Sequence, residues 1–147
     1  MDPLTGYHDR KIDGKDRVVV PAVYAQAIQA ESGGRLYLVP GATSPCVEAY
    51  PASEFARRAE GHNPDRFEGD PQASRAFYHL AERVELKGPG RITLLKRFKR
   101  YFPAREVRVA GMNTYLELWH PAWWEEHVGG GEDGPFPLPG DPKRGPR

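Results

Sequence analysis

Residues 12–28 read Ile12-Asp13-Gly14-Lys15-Asp16-Arg17-Val18-Val19-Val20-Pro21-Ala22-Val23-Tyr24-Ala25-Gln26-Ala27-Ile28, and residues 86–102 read Leu86-Lys87-Gly88-Pro89-Gly90-Arg91-Ile92-Thr93-Leu94-Leu95-Lys96-Arg97-Phe98-Lys99-Arg100-Tyr101-Phe102. Each stretch is a polar turn, an arginine, a short β-branched run and a helix-like segment, so that Arg17 falls on Arg91. A second match follows each copy. Val47-Glu48-Ala49-Tyr50, ahead of Pro51 and Phe55, resembles Leu116-Glu117-Leu118-Trp119, ahead of Pro121 and Trp124, and Glu48 falls on Glu117. A repeated supersecondary unit predicts a pseudo-symmetric body in which neither copy buries its apolar face alone. Duplicated basic turns suit a repetitive, charged partner.

Working outward, local rules predict the remaining elements. Tyr7 to Ile12 leads into the turn at Asp13–Asp16, and the valines after Arg17 favour a strand, so a β-hairpin or a strand–turn–strand is expected. Pro21 ends that strand and suits the first turn of a helix, where its missing N–H has no partner to lose. Ala22–Ala30 is helix-like and closed by Gly33-Gly34. Arg35–Val39 and Cys46–Tyr50 read as strands, and Pro51–Phe55 starts a helix with Ser53 as candidate cap. A loop-rich stretch through Gly61–Asp65 and Glu68–Pro71 joins the halves, followed by a helix from Gln72 to about Ala81. The second copy predicts strands at Val84–Leu86, Arg91–Leu94, Glu106–Ala110 and Tyr115–Trp119. It also predicts a basic helix from Leu95 to Phe102 stopped by Pro103, and a short aromatic helix at Pro121–His127. From Gly129 onward Gly, Pro and charge dominate, with too little apolar surface to offset ordering entropy, so residues 129–147 are expected to be a disordered tail.

The expected fold class is α+β, mostly β, built as a first repeat over residues 5–60, a linker and helix over 61–81, and a second repeat over 82–128. At 147 residues the chain suits one compact domain, or two small halves sharing a core. Cys46 is the single cysteine, which excludes an intramolecular disulfide and a tetrathiolate zinc site and fits a reducing interior. No apolar run approaches the roughly 20 residues needed to cross a bilayer, and the first residues lack a secretory pattern. A soluble, cytoplasmic protein is expected. The five histidines have no metal-ligand spacing, Ser44, Ser53 and Ser74 lie in no nucleophile elbow, and no Gly-rich loop carries a phosphate-binding Lys-Ser or Lys-Thr. No catalytic residue, metal, cofactor or small-molecule substrate is therefore expected.

A formal net charge of +1 hides an uneven distribution. Between residues 83 and 108 stand Arg83, Lys87, Arg91, Lys96, Arg97, Lys99, Arg100, Arg105 and Arg108 against Glu85 and Glu106 alone. Such a block either faces polyanions or forms a solvated helix face.

The pattern Asp-x-x-Gly-Arg-x-x-x-Pro-x-x-x-Arg, met twice and each time followed by a strand, a Glu-containing strand and an aromatic helix, resembles the MraZ family. These are tandem members of the SpoVT-AbrB, swapped-hairpin class of DNA-binding transcription regulators. The likeness spans residues 5 to about 128. The first copy keeps Asp13, Lys15, Arg17 and Pro21 but has Asp16 for Gly and Ala25 for Arg. The second keeps Gly90 and Arg91 but has Lys87 for Asp, Leu95 for Pro and Lys99 for Arg. The resemblance implies two swapped-hairpin, barrel-like units related by a pseudo-two-fold, and homo-oligomers, as rings, of such chains. It also implies a nucleoid-associated protein bound to double-stranded DNA at short direct repeats upstream of a division and cell-wall gene cluster, its own promoter included.

Physical chemistry adds what such turns can do. Lys and Arg neutralise phosphates and release counterions, Arg forks onto guanine O6 and N7, and a two-stranded ribbon fits a major groove about 12 Å wide. Lys15 and Arg17 in the first turn and Lys87 and Arg91 in the second are the expected DNA contacts, with Asp13, Pro21 and Gly90 structural. Two other readings stand beside this: Arg17 and Arg91 brace their turns against Asp13 or Glu85, and Lys96–Arg100 is a solvated face over a core of Phe98, Tyr101 and Phe102. The tryptophans at 119, 123 and 124 are expected to pack rather than to stack on bases. Phe98, Trp119 and Trp123 further suggest apolar surface that a small sheet leaves for subunit contacts. Two alternative functions share these features: an oligomeric interaction protein that has lost specific DNA binding, and an antitoxin of the same class. Because the first copy keeps more of the family's letters and the second carries more charge, specificity is expected from the first turn and phosphate affinity from the second.

Overall fold

The computed structural model describes residues 1–61, 71–128 and 139–140. The linker stretch at 62–70 and, apart from a turn at Pro139-Gly140, the expected tail lie outside the described residues. In chain order the elements are β1 (Tyr7–Lys11), β2 (Arg17–Val19), α1 (Ala22–Ser32), β3 (Arg35–Pro40), β4 (Val47–Pro51) and α2 (Ala52–Gly61), then α3 (Pro71–His79). The second copy supplies β5 (Glu82–Glu85), β6 (Arg91–Thr93), α4 (Lys96–Lys99), β7 (Glu106–Gly111), β8 (Leu116–Trp119) and α5 (Pro121–His127).

A six-stranded sheet runs β1-β7-β8-β4-β3-β5, and β2 and β6 pair separately as a two-stranded ribbon. Every pairing is antiparallel. Read from either end the sheet order is the same in copy-equivalent strands, and the registers obey the same symmetry. Lys11 opposite Glu106 is matched by Glu85 opposite Arg35, and Tyr37 opposite Tyr50 by Arg108 opposite Trp119. A pseudo-two-fold axis therefore passes between Glu48 and Glu117, which face each other across β4 and β8, and between Val18 and Ile92 across the ribbon.

The copies exchange strands. β1 pairs with β7 of the second copy and β5 with β3 of the first, so each basic turn connects strands of two different sheets. Of the two arrangements expected for residues 7–20, the strand–turn–strand is the one found. Backbone bonds close the turns, Asp13 N–H to Arg17 O at 3.0 Å and Lys87 N–H to Arg91 O at 2.8 Å, and beyond them the strands part. The mostly-β, α+β class is as expected, but among the described residues neither sheet closes on itself: β1 and β5 are the edges of the larger one and the ribbon is a separate sheet.

Strand alternation explains why the ribbon stays in place. Val18 and Ile92 point inward and join Val20, Leu94, Tyr24, Phe98, Ile28 and Phe102 in a core shared with Leu36, Leu38, Val47, Ala49, Val107, Val109, Leu116 and Leu118. Burying each large apolar side chain contributes roughly 1.5–3 kcal/mol. The opposite face of the large sheet carries a smaller aromatic cluster of Val39, Tyr50 and Phe77 with Phe55, Tyr78 and Tyr115.

Two elements differ from expectation. The basic helix is only Lys96–Lys99, because Tyr101 N–H and Phe102 N–H bond back to Phe98 O and Lys99 O as three-residue turns and Pro103 has no N–H to extend them. Ser53 does not cap α2 from its own chain position. Ser32 at the end of α1 accepts Ser53 N–H at 3.2 Å and shares a hydrogen bond with its hydroxyl at 3.1 Å.

Candidate nucleic-acid interface

Within the ribbon Arg17 lies opposite Thr93, Val18 opposite Ile92, and Val19 opposite Arg91. With Val18 and Ile92 in the core, period-two alternation turns Arg17, Val19, Arg91 and Thr93 to the other face, where Val19 is 39% exposed. The structure thus brings the two predicted arginines, far apart in sequence, onto one face of one ribbon. Each turn also serves the other copy's strand: Val20 N–H bonds Gly90 O at 2.9 Å and Leu94 N–H bonds Asp16 O at 2.8 Å. Pro21 is buried where strand gives way to α1.

In the first turn Asp13 is the organiser. Its Oδ1 accepts the backbone N–H groups of Lys15 and Arg17, both at 2.9 Å, and its Oδ2 accepts Arg17 Nε at 2.8 Å. These bonds hold the Asp13 carboxyl below the usual carboxylate range, the Arg17 backbone bond first among them. The bracing reading of Arg17 is therefore correct at Nε, while the ion pair occupies no Nη nitrogen. The Lys15 side chain is exposed, and its ammonium pairs with no carboxylate among the described residues. Asp16 has a left-handed backbone, φ +62°, where its counterpart Gly90 has φ +101°. Its carboxylate accepts Lys99 Nζ at 3.1 Å and Arg105 Nη2 at 3.4 Å, and Arg105 also donates to Asp13 O. The Lys99 bond is the main reason its pKa is lowered.

The second turn is built differently. Lys87 occupies the place of Asp13, so among the described residues Arg91 has no organising carboxylate. It does not pair with Glu85, which instead meets Arg83 and Lys87 at 3.4 Å each. The Arg91 guanidinium lies against Gly88, and its buried Nε has no hydrogen-bond partner among the described residues. Gly90 is required twice over: its φ disfavours a side chain, and a Cβ would come within 3.0 Å of Ala25 Cβ.

The basic block after Arg83 is less free than its composition suggests. Arg97 bonds Glu82 at 2.6 Å, Arg108 bonds Asp9 at 2.8 Å and Glu125 at 3.1 Å, and Lys99 and Arg105 hold Asp16. Lys96 and Arg100 are exposed and unpaired with acids among the described residues. The role of Lys99 and Arg105 was not legible locally, because Asp16 is far away in sequence and meets them only through the crossed copies.

Away from the ribbon the aromatic side chains pack on one another, and the buried His120 Nδ1 has no hydrogen-bond partner among the described residues. Trp119 is buried and meets Trp124 edge-on at 5.9 Å between ring centroids. Arg108 lies over the Tyr7 and Trp124 rings. Because Phe98 and Trp119 are 0% and 2% exposed within a single chain, the expected surplus of apolar surface at those residues does not exist. Burial and the neighbouring Glu117 push the Cys46 thiol up, making it a poor nucleophile. Among the described residues no cluster of His, Cys, Asp and Glu is arranged to hold a metal ion, and no helix is long and apolar enough to cross a membrane.

A chain duplicated within itself, whose copies exchange strands and present arginines on an axial ribbon, is a protein of the tandem swapped-hairpin class. Curated proteins similar to it are transcriptional regulators named MraZ. One from Dehalococcoides mccartyi is 35% identical over 126 residues, covering 82% of this chain and 84% of that protein. Another, from Gluconacetobacter diazotrophicus, is 31% identical over 129 residues, covering 83% and 81%. A third, from Shewanella oneidensis, is 27% identical over 122 residues, covering 80% and 79%. The chain belongs to the MraZ family. No family model matches it.

Proposed function

We propose that this protein is a transcriptional regulator that binds double-stranded DNA through the β2–β6 ribbon and its two flanking turns, with Lys15, Arg17, Lys87 and Arg91 as the contacting residues. The observation that carries the reading is the placement of Arg17 and Arg91 on the outward face of one two-stranded ribbon. A ribbon of that width enters a major groove, with arginines suited to base edges and lysines to phosphates. The names of its relatives support a regulatory role.

The target proposed is a set of short direct repeats upstream of a division and cell-wall gene cluster, including the regulator's own promoter, bound by a nucleoid-associated cytoplasmic homo-oligomer, a ring. Mobility shift at several salt concentrations, with light scattering on the same sample, tests this. Expected are a multimer and repeat-specific binding to the DNA preceding its own coding sequence, weakened by Arg17→Ala. Equal affinity for scrambled DNA at moderate salt would sink the reading. It would favour instead an interaction protein of the same fold, for which the internal pairing of Arg97, Lys99, Arg105 and Arg108 is the supporting observation.

A further inference from the structure

The two turns are related by the pseudo-two-fold, yet each charged brace of the first is exchanged in the second. Asp13 corresponds to Lys87, Asp16 to Gly90, Lys99 to Ala25, and Arg105 to Gly34. The first turn is consequently locked at both ends. Asp13 fixes the Arg17 backbone and the root of its guanidinium, leaving the two Nη nitrogens free of any acid among the described residues. Asp16 ties the turn to the other copy through Lys99 and Arg105. The second turn has none of this. Arg91 meets no carboxylate among the described residues, and Lys87 reaches only the exposed Glu85, at 3.4 Å.

Resting on the DNA-binding reading above, we infer that the acids at 13 and 16 divide the work between the turns: Asp13 is a positioning residue that aims Arg17 at base edges, while Lys87 and Arg91 bind phosphates. A guanidinium held at Nε presents its Nη edge in a set direction, the condition for a bidentate bond to one base and not another. The Asp13 carboxylate at its Nε offsets part of its charge, so Arg17 adds less to salt-dependent affinity than an unpaired arginine would. Arg91, with no carboxylate partner among the described residues, and Lys87, whose one such contact is the exposed and solvent-screened Glu85 at 3.4 Å, do the reverse, each neutralised phosphate steepening the salt dependence by about 0.9. The Asp16 side chain, at a backbone position glycine adopts freely, serves the lock and not the turn.

The test is a competition titration of the full chain between a duplex from the DNA preceding its coding sequence and a scrambled duplex of equal composition, at four salt concentrations. Arg17→Ala is expected to lower the preference between duplexes by about 5- to 150-fold, the range for one bidentate contact, with the salt slope near that of the unaltered protein. Lys87→Ala and Arg91→Ala are each expected to flatten the slope by about 0.9 and to weaken both duplexes equally. Asp13→Asn is the sharpest variant: preference falls while binding to scrambled DNA tightens, a combination that damage to the fold does not produce. Asp16→Gly is expected to tighten both duplexes. An unchanged preference in Asp13→Asn, a flattened slope in Arg17→Ala, or a lost preference in Arg91→Ala would each overturn the division of work while leaving DNA binding in place. An unaltered protein without any preference would instead remove the DNA-binding reading itself.

Discussion

At the residue scale the molecule turns on positions where a side chain is decided by its counterpart in the other copy. Gly90 sits at φ +101° with Ala25 against it, whereas Asp16 at the equivalent place is non-glycine and stabilised by two cations. Gly90→Ala is therefore expected to cost about 1–3 kcal/mol, read as a lower denaturation midpoint with unchanged slope, and a wild-type midpoint would contradict this. Glu48 gives a pH prediction. Burial raises its pKa above the ordinary glutamate value, helped by the facing Glu117 and opposed by the Tyr50 hydroxyl, which donates to it at 2.8 Å, and by Arg58. A raised carboxyl pKa means the folded state binds the proton more tightly than the unfolded state, so this residue's contribution falls as pH rises from the ordinary value through the raised one. Asp9, Asp13 and Asp16 have lowered values, and their contribution is lost as pH falls below the ordinary carboxylate range. Glu48→Gln should raise the melting temperature at pH 7 and leave it little changed near pH 4. An equal shift at both pH values would show that the carboxylate charge is not what costs stability.

At the element scale most of the plan was legible from short patterns. Pro21 followed by Ala22–Ala30 and Gly33 predicted α1, and the structure ends that helix at Ser32 with Gly33 in a left-handed conformation, φ +62°. The structure turns Arg17 and Arg91 outward because it buries Val18 and Ile92, after which alternation with period two leaves no choice of face. Helix length in the second copy was not legible, because Lys96–Phe102 has the apolar spacing of a helix and only the hydrogen bonds show tight turns after Lys99. Nor was the capping of α2, since its serine partner belongs to α1. In each case the deciding group is a backbone bond or a distant side chain that local propensity does not contain.

At the scale of the whole molecule, strand exchange makes the halves interdependent. Among the described residues β1 pairs with β7 alone, and β5 with β3 alone. A fragment of residues 1–61 is therefore expected to be unfolded or to pair with a second copy of itself. Circular dichroism melting with analytical ultracentrifugation distinguishes these, and a cooperatively folding monomer would show that the exchange is not needed. The sequence by itself determined the duplication, the mostly-β class, the family likeness and the candidate residues Lys15, Arg17, Lys87 and Arg91, because repeats, alternation and turn residues act over a few positions. The tertiary structure alone decided which strands pair, that Phe98 and Trp119 are covered within one chain, and that Lys99 and Arg105 brace Asp16 while Arg91 meets no carboxylate among the described residues. Those outcomes depend on contacts between residues tens of positions apart, and it is the crossing of the two copies that brings them together.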